Sequence, residues 1–138
     1  MGMNMKNTAR LWTEEETIAA LNLYYKVPFS KTVKSNRAII DFADLINRLP
    51  SAVAMKLGNF GSFDPELKNK NISGLKNASK LDKKIWDKYY NNLDNLAYDS
   101  EKIIAKFKKV PIEKMLDIKI EDYPEGKNKE IIVKQRVG

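Results

Sequence analysis

The chain of 138 residues carries a net charge of +7 and has neither histidine nor cysteine. That composition removes zinc sites, histidine-based metal nucleases and Ser-His-Asp or Cys-His nucleophiles, and leaves carboxylate or lysine chemistry or none at all. A hydrophobic fraction of 43% suits a folded domain, no apolar run approaches the roughly 18–20 residues of a membrane helix, and the polar start MGMNMKNTARLW is not a secretory signal. The missing cysteines fit a cytoplasmic protein. A pI near 9.5 favours a polyanionic partner. The basic excess lies within residues 1–110, because residues 111–138 hold equal numbers of acidic and basic groups.

Thr13 and Glu16 form a capping box that opens a first helix, whose Glu14, Glu15 and Glu16 suit the positive end of the helix dipole. Ile18, Leu21, Tyr24 and Tyr25 recur at helical spacing as far as the Val27-Pro28 break. A basic loop, Phe29 to Lys34, leads to Ser35 or Asn36 as cap of a second helix with Ile39, Phe42, Ala43, Ile46 and Leu49 on one side. Pro50 ends that pattern and starts a third helix. There Val53, Leu57 and Phe60 point inward, Ala52, Met55, Lys56 and Asn59 point away, and Gly61 suits the C-cap.

Gly58 to Gly74 reads as a connector with at most a helical turn around Pro65 to Lys68. A further helix is predicted over about Ser79 to Asn91, burying Leu81, Ile85, Trp86 and Tyr89 or Tyr90. Another follows over Leu96 to Lys109, with Tyr98, Ile103, Ile104 and Phe107 as its apolar set. From Ile112 the pattern weakens to an arm or small hairpin. The expected fold is mainly α, with a helical domain over residues 1–110 and an arm or linker over 111–138.

The first three helices resemble the tri-helical Myb-type unit, a helix-turn-helix arrangement in which one helix docked across two others faces the major groove. In that reading Arg48, Ser51, Ala52, Met55, Lys56 and Asn59 contact DNA. Lys56 and Arg48 meet phosphates, Asn59 approaches adenine, and Ala52 and Met55 can touch a thymine or methylcytosine methyl group. Lys34 from the basic loop and Arg37 from the start of the second helix join them, and Lys76, Lys80, Lys83 and Lys84 lie near one face of the helix from about Ser79 or on the approach to it. Phe63, in a Gly-Ser-Phe-Asp-Pro loop, is a candidate stacking residue. A plain bundle with a solvated third helix, and lysines merely interleaved with Asp82 and Asp87, are the plainer readings of the same pattern. No catalytic constellation and no metal or cofactor site is expected, since the consecutive glutamates are explained by capping.

Two longer stretches add a second resemblance. Arg48, Ser51 to Leu57, Asn59, Phe60, Ser62, Asp64 and Pro65, followed by Gly74, Leu75, Asn77 to Lys80, Asp82, Ile85 and Trp86, look like the N-terminal region of bacterial HNH-family restriction endonucleases. The resemblance covers Trp12 to about Asp94, and Val133 to Gly138 look like the lead-in to the nuclease module. It implies a target-recognition module for double-stranded DNA, in some relatives modified at cytosine, with the nuclease supplied in cis or in trans beyond this chain. Leu49 replaces the polar cap expected before Pro50, and Gly58 places a flexible point inside the third helix. A helical protein-interaction domain is the alternative.

Overall fold

The computed structural model describes residues 11–109, and the arm or hairpin expected over 111–138 lies outside them. Among the described residues the fold is all-α: α1 (Glu14–Lys26), α2 (Arg37–Ile46), α3 (Pro50–Gly61), the short α4 (Pro65–Asn69), α5 (Lys80–Tyr89) and α6 (Leu93–Lys108), with a 3-10 turn at Phe29–Lys31. None of these helices is long and apolar enough to cross a membrane.

The helix starts follow local chemistry. The Thr13 hydroxyl accepts from the Glu16 amide at 3.1 Å, and the Glu16 carboxylate accepts from the Thr13 amide at 3.0 Å, the reciprocal pair that satisfies two end donors of α1. Ser79 and Asp82 repeat the arrangement at α5. Asn36 caps α2 and Asp64 caps α4. The tight link between α2 and α3 spans Asn47 to Leu49. Asn47 takes a left-handed φ of 61°, and the Arg48 amide turns back to the Ala43 carbonyl at 2.9 Å. Pro50 then occupies the first position of α3, where its missing N–H costs nothing.

α1 is the central element and packs against α3, α5 and α6. Its side chains from Glu16 to Asn22 are all buried, and the small Ala19 and Ala20 let those neighbours approach closely. Ile39, Phe42, Ala43 and Ile46 form the buried stripe of α2, while Val53, Leu57 and Phe60 do the same for α3. Trp86 gathers the aromatic side of the core, with Tyr24, Tyr25, Phe60, Phe63 and Tyr90 all within 6.4 Å between ring centroids.

Four local expectations are corrected. Gly61 lies inside α3, and Ser62 takes the C-cap with ordinary right-handed backbone. Leu49 lies outside the buried stripe of α2, at 39% exposed. The last helix starts at Leu93, three residues before the expected Leu96, because half-buried Leu93 extends the apolar stripe by a turn. Tyr98 does not join that stripe and is 50% exposed, with the Lys102 ammonium over its ring.

Candidate nucleic-acid interface

Arg48, Lys56 and Asn59 do not form an outer face of α3. Arg48 is 2% exposed, its guanidinium donating to Glu16 at 2.9 Å and to the Leu11 carbonyl at 2.8 Å. Lys56 is 7% exposed, and its ammonium donates to Asp82 at 2.7 Å. Both cations also sit over the Trp12 ring, at 4.4 and 4.8 Å from its centroid. Asn59 is 6% exposed, with its side-chain Oδ1 unpartnered among the described residues. The reading of these three as DNA contacts is corrected: α3 is clasped by α1 and α2 on one side and α5 on another, so it buries more than the single stripe its apolar residues mark.

The two partner carboxylates share a second role. Glu16 and Asp82 are the very residues that close the capping boxes of α1 and α5, so each helix start doubles as the counterion of a buried cation on the α2–α3 segment. Removing either partner would leave a charge without water or counterion, which costs about 3–5 kcal/mol. The partners stand 32 and 26 residues apart, so no local pattern in the sequence signals that the two cations are buried.

The loop after α4 crosses back over α3. The Leu75 amide donates to the Gly58 carbonyl at 3.0 Å, and the Leu75 side chain fills the space a side chain at Gly58 would take. Gly58 is therefore a packing position and α3 is regular through it.

Seen this way, most of the motif residues are architectural, Arg48, Lys56, Asp64, Gly74, Ser79 and Asp82 among them. Those left to solvent include Ser51 and Met55 on α3, half-buried Ala52, Leu75 and Asn77 on the approach to α5, and Lys80 at its first position. Ser51, Met55 and Gly58 are spaced at one face of the helix, and Leu75 covers its far end. Lys76 and Lys80 are exposed and make no ion pair among the described residues. Lys83 and Lys84 are already paired, with Asp87 at 2.9 Å and Glu14 at 3.7 Å, though such surface pairs are worth only about 0–1 kcal/mol and open easily. Phe63 is half-buried against Trp86 beneath the Lys83 ammonium. Lys34 and Arg37 stay exposed at the opposite end of α2 from the turn, about 15 Å away along the helix, with Arg37 3.5 Å from Asp41. Among the described residues no group of three His, Cys, Asp or Glu gathers to hold a metal ion.

No family model, curated protein or solved structure matches this chain.

Proposed function

We propose that the chain is a double-stranded-DNA-binding module, the target-recognition part of an HNH-type restriction endonuclease. The observation that carries the reading is where the leftover motif residues gather. Once folding has consumed Arg48, Lys56 and Asn59, the exposed Ser51 and Met55 sit on the helix that follows a three-residue turn, with Lys76 in the loop that crosses it beside Leu75 and Lys80 at the first position of α5. This is a helix-turn-helix-like presentation. The small Ser51 and Ala52 permit close approach to a groove, and Met55 offers an adaptable apolar contact. Lys76 and Lys80 supply phosphate contacts. The sequence resemblance of Trp12 to Asp94 supports the assignment to that enzyme class, with cleavage belonging to a nuclease module in cis or in trans.

Fluorescence anisotropy with labelled duplexes tests it. Affinity should fall roughly ten-fold or more between low and physiological salt. Lys76→Ala and Lys80→Ala should each lower the salt slope by about one and weaken all duplexes alike, while Met55→Ala changes preference between sites. Absence of binding at low salt to any duplex, cytosine-modified or not, overturns the reading. A second reading, a helical protein-interaction domain, is favoured by the apolar exposure of Leu49 (39%), Met55 (54%) and Leu75 (45%) around the same helix. Binding to a protein that is insensitive to salt would select it.

A further inference from the structure

A groove of about 800 Å³ opens where α1 and α5 end and α6 begins, with α4 along its side, lined by Tyr25, Phe29, Asp64, Glu66, Ile72 and Tyr90 among others. A second, more open space of about 340 Å³ shares Tyr90, Asn91 and Leu93 with it and is also lined by Asp94. Two of its rings are held by Trp86: Tyr25 stacks at 5.9 Å and 21°, and Tyr90 lies at 5.8 Å and 33° while remaining 42% exposed. Beside them the Asp64 carboxylate is fixed by the Tyr24 hydroxyl at 2.6 Å and the Glu66 amide at 2.9 Å. Neutral donors hold that carboxylate in place without cancelling its charge.

The charge balance here is unusual for this molecule. Glu14, Glu15, Glu16, Asp41, Asp82 and Asp87 each face a lysine or arginine. Among the described residues Asp64, Glu66 and Asp94 have no such partner, and Lys70 is the single cation that lines either space. In a chain of net charge +7, this groove has the opposite sign to the whole.

We propose that the groove docks an extended basic segment of a partner protein, with an arginine or lysine side chain laid against Tyr25 and Tyr90 and directed at Asp64. Aromatic faces attract cations, and a guanidinium stacks on them while keeping its donors for a carboxylate. Further basic residues on the segment meet Glu66 and Asp94 along the groove. Two neighbouring spaces with shared walls suit a run of chain better than one compact ligand. Phosphates are repelled by the same carboxylates, so this surface is separate from the DNA-binding reading and does not rest on it.

The test is a titration of the isotope-labelled full chain, followed by NMR, with the capped peptide Ala-Arg-Ala-Lys-Ala-Arg-Ala and its counterpart carrying glutamine at the basic positions. The basic peptide should shift amides around Tyr25, Glu66, Tyr90 and Asp94, and the glutamine peptide should not. The Glu66→Lys, Asp94→Lys double variant changes only exposed positions. Both carboxylates stand in the first turn of a helix, so the variant should keep the wild-type helical spectrum and melt only about 5 °C lower, and bind the basic peptide at least about ten-fold more weakly. Equal binding of the two peptides, unchanged affinity in the double variant, or shifts confined to Ser51, Met55 and Lys80 would overturn the proposal. So would a free nucleoside shifting the same groove residues while the basic peptide leaves them unmoved. Self-association that moves those residues without any peptide would instead assign the groove to a second copy and also end it.

Discussion

A methyl group placed on Gly74 would lie 2.2 Å from the Ser62 amide nitrogen and 2.4 Å from the Gly61 carbonyl carbon, both backbone atoms that have no rotamer to escape into. Gly74→Ala should therefore cost about 2–3 kcal/mol, a drop of about 10 °C or more in Tm by thermal unfolding. At Gly58 the same methyl meets the Leu75 side chain at 2.8 Å, and Leu75 is 45% exposed and able to rotate away. Gly58→Ala gains about 1 kcal/mol of helix propensity against that displacement, so its Tm should stay close to wild type. Lys56→Met should cost about 3–5 kcal/mol in urea unfolding, because it leaves Asp82, 0% exposed, as an uncompensated buried anion. An unchanged midpoint would show that the pair does not tie α3 to α5. At this scale the sequence was least transparent. A helical wheel sets Lys56 about 100° from Leu57 and about 40° from Phe60, at the edge of the apolar stripe, but it says nothing of an aspartate 26 residues further on that draws the ammonium inward.

Helix positions were more legible, since they rest on short-range chemistry. The capping boxes at Thr13 and Ser79, the Asn36 cap and the Pro50 start are all residues whose preference is written within four positions of themselves. The start of α6 was not legible, because Asn92 makes no side-chain cap and the extra turn is held by the burial of Leu93 against distant residues. The same distinction bears on whether the first three helices form a unit by themselves. Their pattern is that of a three-helix module, yet Lys56 takes its counterion from α5, Phe60 packs on Trp86, and α1 is covered by α6. A fragment of residues 11–64 should consequently show no cooperative thermal transition by circular dichroism, whereas residues 11–109 should.

For the molecule as a whole, the aromatic core implies a direction of pH dependence. Burial and the bond to Asp64 raise the Tyr24 hydroxyl well above its ordinary value, and burial with the bond to Asp99 does the same for Tyr89. Tyr25 is pushed up to about 12, mainly by burial and then by the charge of Asp64. The folded state thus holds these protons more tightly than the unfolded chain, so the stability they confer is complete below about pH 10 and is lost as pH rises beyond it. Urea midpoints should fall between about pH 9.5 and 11.5, by up to about 1.4 kcal/mol per pH unit for each tyrosine involved. The candidate interface was less legible than the fold, since binding depends on which polar residues remain outside once packing is complete. The placement of the two tryptophans has an optical consequence. Trp12 lies against two buried cations, Arg48 and Lys56, and Trp86 lies among neutral rings that include the groove's Tyr25 and Tyr90. Their emission is therefore tuned by different surroundings, and single-tryptophan variants would make the chain its own two-channel sensor. A duplex engaging α3 would be read through one indole, and a basic segment in the groove through the other.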